Sequence, residues 1–153
     1  MSLPGASFTM IRSKGYTQMT DDPQKAASMN ILVVDDDPNI VDMLRQFLPE
    51  SEFLVDSALD GVAGLEAVAA NRPDIILLDI IMPRLDGFEV IERLRADPDT
   101  NDLPIIVISA KDLSPAESAR LREAVVMVMH KQGFQGEKLL DEILHKLPAQ
   151  TTK

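Results

Sequence analysis

The feature that most narrows what this chain can fold into is a set of short aliphatic runs, each closed by a polar residue. ILVV at 31–34 ends in Asp35, Asp36 and Asp37; IILL at 75–78 ends in Asp79; IIVI at 105–108 ends in Ser109; VVMVM at 125–129 ends in His130 and Lys131. Four or five consecutive aliphatic residues suit a strand buried on both faces and do not suit one with a wet side. FLVDS at 53–57 reads as a weaker strand. Helical periods lie between the runs: Ile40, Val41, Leu44, Phe47 and Leu48 first, then Val62, Leu65, Val68 and Ala69. Phe88, Ile91 and Leu94 make a third face, Ser114-Pro115 opens a polar helix to about Glu123, and Leu139, Leu140, Ile143, Leu144 and Leu147 make the last. Asp37 before Pro38, and Asp60, are N-caps, because a short carboxylate can accept from the unpaired amides of a first turn. Five strands alternating with five helices predict an α/β domain, a parallel sheet covered by helices on both faces. The third and fourth helices have the weaker apolar faces and are expected to be the more exposed.

Residues 1–29 mix Gly, Pro, Ser, Thr and Gln with little periodicity and are expected to form a mobile leader. A native extension, an added leader and the end of a preceding domain all fit them. The ordered domain is expected at 30–147, with a tail at 148–153 and output through contacts with other proteins. The net charge is −10, and the leader holds three basic residues against two acidic ones, so the negative charge belongs to the domain. An acidic domain has no broad basic face for nucleic acid, and none is expected as a partner. Cysteine is absent and there are only two histidines, which excludes thiolate zinc sites and argues against multi-histidine ones. No run approaches the roughly 20 apolar residues of a membrane helix, nor does the start carry a secretory signal, so a soluble cytoplasmic protein is expected.

In a parallel sheet every strand end lies on one edge, where ligands bind. Asp35, Asp36, Asp79, Ser109 and Lys131 therefore converge. Three carboxylates in one cleft repel and resist ionising, which a divalent cation relieves. Oxygen donors without His or Cys point to Mg²⁺ or Mn²⁺. A metal, a lysine, a hydroxyl and a free carboxylate together suit phosphoryl transfer to an aspartate.

ILVVDDDP, ILLDIIMPRLDG, IIVISA and Lys131 resemble the receiver domain of two-component response regulators. The spacings agree: 43 residues from Asp36 to Asp79, 30 to Ser109 and 22 more to Lys131. The resemblance covers about 30–147. It implies a flavodoxin-like, doubly wound sheet of strand order 2-1-3-4-5. It implies that Asp79 takes a phosphoryl group from a phosphohistidine of a histidine kinase or histidine phosphotransfer protein. Mg²⁺ would be held by Asp35, Asp36, Asp79 and the backbone carbonyl of Ile81. Lys131 would pair with the phosphoryl group, and Ser109 would move toward it and report to the surface of the fourth and fifth helices and the fifth strand. The implied protein is a signalling module, not an enzyme on other substrates, and a monomer or weak dimer.

Two positions depart from the family pattern. Lys131 is followed by Gln132-Gly133-Phe134 where the family usually has proline, so the usual cis-proline turn is not expected and Gly133 would supply flexibility instead. Val128 stands where an aromatic partner of the switch hydroxyl is common, which points to signalling through loop and helix shifts. The KQGF ending looks more like receivers joined to hybrid sensor kinases, and a receiver segment of such a kinase is the alternative reading. A small-molecule phosphatase or phosphotransferase fits less well, because Ile81 replaces the second acid such enzymes carry two residues after the nucleophile. Ile81 and Lys111, two residues beyond Asp79 and Ser109, offer no acceptor to hold a hydrolytic water, which predicts a long-lived phosphoaspartate.

Overall fold

A computed structural model of the chain describes residues 9–13, 16–20 and 28–151. Two short strands, β1 (Thr9–Ser13) and β2 (Tyr16–Thr20), form an antiparallel pair of their own, with Thr9 opposite Thr20 and Ser13 opposite Tyr16. The mobile-leader reading assigned no regular element here. Thr, Ile and Tyr favour strands, and a two-residue spacing with Gly15 is a hairpin signature that helical and apolar periodicity does not register. The rest of the leader up to Ala27 lies outside the described residues.

The domain follows in strict alternation: β3 (Met29–Val34), α1 (Pro38–Phe47), β4 (Phe53–Ala58), α2 (Gly61–Ala70), β5 (Ile75–Leu78), α3 (Gly87–Ala96), β6 (Ile105–Ser109), α4 (Pro115–Ala124), β7 (Met127–His130) and α5 (Gly136–Thr151). The five strands β3 to β7 pair in parallel in the order β4-β3-β5-β6-β7. Counted along the chain within that sheet, the order is 2-1-3-4-5, the flavodoxin-like arrangement expected. Alternate residues of the aliphatic runs enter two separate cores. Leu32, Val34, Ile76, Leu78, Ile105 and Val107 join the layer of Val68, Val90, Leu94 and Leu121. Ile31, Val33, Ile75, Leu77, Ile106 and Ile108 join the layer of Val41, Leu44, Leu139 and Ile143. The run is aliphatic throughout because each face of the sheet carries its own helices.

The helix starts are local. Asp37, Asp60, Asp86 and Ser114 accept from backbone amides of the first turn, and Asp86 with Glu89 and Ser114 with Glu117 form full capping boxes. Two expectations about the helices need correction. In α2 the buried positions are Gly61, Gly64 and Val68, while Val62 and Ala69 face out. The helix lies so close to its neighbours that a Cβ on Gly61 would stand 2.3 Å from the Leu85 carbonyl oxygen. Hydropathy does not mark glycine as an inward residue, so apolar periodicity places the inward face one residue further along, at Val62 and Ala69. Of α3 and α4, expected as the exposed pair, only α4 fits: it buries Leu121 alone, whereas α3 buries Gly87, Val90, Ile91 and Leu94. The last helix also runs through Thr151, beyond Leu147, so the expected tail begins inside it. Leu147 itself lies outside the described side chains.

Candidate acidic phosphoacceptor site

Backbone bonds carry the ladder past the strand ends and so fix the site. The Asp35 N–H donates to the Ala58 carbonyl at 3.0 Å, Asp79 to Val34 at 2.9 Å, and Lys131 to Ser109 at 3.0 Å. Asp35, Asp79 and Ser109 are buried, Asp36 is exposed, and the Lys131 side chain reaches in with 18% of its surface open. Its Nζ stands 2.9 Å from Asp35 Oδ2 and 3.2 Å from Asp79 Oδ2. Carboxylate oxygens of Asp35, Asp36 and Asp79 all lie within 4.8 Å of one another. The five residues picked out at strand ends thus occupy one edge. Asp35, Asp36 and Asp79 lie together, and Lys131 reaches Asp35 and Asp79.

One ammonium is shared by two buried carboxylates. Burial raises the pKa of Asp35 and of Asp79, and the Lys131 hydrogen bonds and charge pull back only part of that. Burial works against the Lys131 ammonium, yet the hydrogen bonds and charges of Asp35 and Asp79 outweigh it and push its pKa up. The lysine is over-compensated and each carboxylate under-compensated, which is the electrostatic signature of a site short of positive charge.

The Asp79 loop is held from three sides. The Ile81 N–H donates to Asp79 Oδ1 at 3.4 Å, while the Ile81 side chain is exposed. Gly87 donates its N–H to the Ile80 carbonyl at 2.8 Å, and a Cβ there would meet the Asp79 carbonyl oxygen at 2.5 Å. Arg84 sits at φ +73, between Pro83 and Leu85, and its guanidinium pairs with the Asp60 carboxylate at 2.6 Å. Ser109 Oγ accepts the Lys111 N–H at 3.0 Å, so it faces its own loop. The Lys111 ammonium is clasped by both Glu117 oxygens at 2.7 Å. Gly133, two residues after Lys131, stands at φ +66, a conformation that suits glycine, and no described peptide bond is cis. The sequence reading missed the partners of Arg84 and Lys111. The capping spacing Ser114-x-x-Glu117 was readable, but nothing local says that Glu117 also holds a lysine from the preceding loop.

The cleft lacks His and Cys ligands, and its three carboxylates against one ammonium fit a hard divalent cation. The family model "Response regulator receiver domain" matches residues 31–144. The response regulator MprA of Mycobacterium ulcerans is 49% identical over 85 residues, which are 56% of this chain and 36% of that protein. The chain therefore spans about a third of the curated relatives it matches. Among solved structures, the N-terminal domain of a response regulator receiver protein from Methanoculleus marisnigri is 36% identical, with a TM-score of 0.62, over 78% of this chain and 96% of that one. The Vibrio cholerae chemotaxis protein CheY4 is 27% identical, with a TM-score of 0.69, over 79% and 99%. With its sheet order, its edge of converging acids and these matches, the chain belongs to the response regulator receiver domain family.

Proposed function

We propose that Asp79 is the phosphoacceptor of a two-component phosphorelay. The observation that carries this reading is the Lys131 ammonium, at the end of β7, lodged between Asp35 and Asp79 at the ends of the adjacent strands β3 and β5. An Asp79 carboxylate oxygen attacks the phosphorus of a phosphohistidine on a histidine kinase or histidine phosphotransfer protein. The new P–O bond forms as the P–N bond breaks, and the leaving imidazole keeps its electron pair and takes a proton. Asp35, Asp36, Asp79 and the Ile81 carbonyl would hold Mg²⁺. When bound, it neutralises charge on the phosphoryl oxygens. Lys131 already stands at hydrogen-bonding distance from the acceptor, so it can follow the phosphoryl group as charge develops. Asp35 keeps that ammonium in place. Ser109 donates its hydroxyl to the phosphoryl group once it turns from the Lys111 amide. The domain then signals through altered protein contacts, in the cytoplasm, and its chemistry is confined to its own phosphorylation and dephosphorylation.

The test is the intact mass after acetyl phosphate and Mg²⁺. One phosphoryl group is expected on the wild type and none on Asp79→Asn or in EDTA. A mass gain that survives EDTA would remove the metal, and one that survives Asp79→Asn would remove the acceptor.

A further inference from the structure

A continuous polar connection leads from Ser109 at the acceptor edge to α4. Ser109 Oγ holds the Lys111 backbone N–H at 3.0 Å. The Lys111 side chain crosses to Glu117, where Nζ meets Oε1 and Oε2 at 2.7 Å each. Glu117 is the third residue of the α4 capping box: its Oε1 accepts the Ser114 N–H at 3.0 Å and its N–H donates to Ser114 Oγ at 3.1 Å. One carboxylate thus fastens both the loop lysine and the start of the helix. The pair is partly buried, with side chains 33% and 26% exposed, so it is less screened than an ordinary surface ion pair.

Two further observations say that α4 can answer a pull at this point. It buries only Leu121, so core packing holds it weakly. A cavity of about 490 Å³, lined by Leu113, Ser118, Arg122, Val125, Val128 and His130, lies between α4 and β7. That space gives the helix room to shift.

We propose that the Lys111–Glu117 pair is the linkage by which Ser109 reports the state of Asp79 to the first turn of α4. The proposal rests on the phosphoacceptor reading of Asp79. When Ser109 turns its hydroxyl to a phosphoryl group, the Lys111 N–H loses its partner and the loop backbone must rearrange to satisfy it. Lys111 moves with that backbone. Its ammonium is tied to the capping carboxylate, so the move strains the cap and loosens the first turn. Lys111 and Glu117 are positioning residues here; neither touches the acceptor.

The experiment is amide hydrogen exchange at Glu117 and Ser118, read by NMR on the full chain with and without Mg²⁺ and beryllofluoride, an acyl phosphate mimic. Occupancy of Asp79 is followed separately by fluorine resonances. In the wild type, exchange at these two amides is expected to quicken about ten-fold on activation, as for a locally opened turn. Lys111→Met and Glu117→Gln should bind the mimic but lose that response; glutamine keeps the capping box, so the helix start itself survives. Lys111→Arg should retain it. An equal response in wild type, Lys111→Met and Glu117→Gln overturns the linkage while the acceptor reading stands. Failure of the wild type to take the mimic at all, with Asp79→Asn as its control, overturns both.

Discussion

Asp79 is a carboxylate held out of water and given half of one ammonium. Its pKa is raised chiefly by burial, so the folded state binds its proton more tightly than the unfolded chain does, where the value is near 3.8. Stability from this group is therefore present below that value and lost as pH rises through the raised folded pKa. At neutral pH and without metal, the ionised group costs stability. Asp79→Asn is expected to raise the unfolding free energy by about 1 kcal/mol at pH 7 in EDTA. The gain should fade near pH 3.5, where Asp79 carries its proton in the folded state and largely in the unfolded chain. Urea titrations at the two pH values check this, and a gain independent of pH would contradict it. Ile81 makes a second residue-scale case. Its exposed aliphatic side chain beside the acceptor cannot orient a hydrolytic water. Ile81→Asn should speed loss of the phosphoryl group about ten-fold, equivalent to ~1.4 kcal/mol of barrier. The decay of the phosphorylated mass in Mg²⁺ buffer measures it, and an unchanged half-life would show that Ile81 does not govern the step.

At the scale of elements, α2 shows how a helix can be fastened by what it lacks. Its first turn touches the loop that carries Asp79: Gly61 lies under the Leu85 carbonyl, and Asp60 both caps the helix and binds Arg84. Hydrogen bonding from the Ala63 amide, then from Arg84, holds the Asp60 carboxyl below the usual carboxylate range. The contact at Gly61 is with backbone and with the Leu85 and Val90 side chains, so an added methyl has nowhere to go. Gly61→Ala should therefore destabilise by about 1–3 kcal/mol despite alanine's better helix propensity. Val62→Ala, one residue on and facing solvent, should stay within about 0.5 kcal/mol. Thermal unfolding of the two variants tests the assignment, and the reverse order would restore Val62 as the inward residue.

For the molecule as a whole, the acceptor edge is a concentration of negative charge in a chain that is already acidic. A cation that binds only the folded edge stabilises by mass action. At about a hundred times its Kd, Mg²⁺ should add about 2.7 kcal/mol. For a chain of this size that is a rise in Tm of roughly 5 to 10 °C. Asp35→Asn with Asp36→Asn should abolish the rise while keeping the fold, because neither carboxylate contributes apolar packing. Differential scanning calorimetry with and without Mg²⁺ decides it, and a rise that persists in the double variant would place the cation elsewhere.

Aliphatic runs of period one, capping residues and polar residues at strand ends are local patterns, and from them the alternation, the sheet class and the shared edge of Asp35, Asp36, Asp79, Ser109 and Lys131 can be read. A parallel sheet brings strand ends together whatever lies between them. The resemblance of its motifs added the strand order. How close the elements lie is set by the folded packing alone. The glycine face of α2, the sharing of Lys131 by two carboxylates and the clasp of Lys111 by Glu117 all depend on distances between separate elements. Such distances follow from packing of many side chains at once, and no periodicity along the chain encodes them.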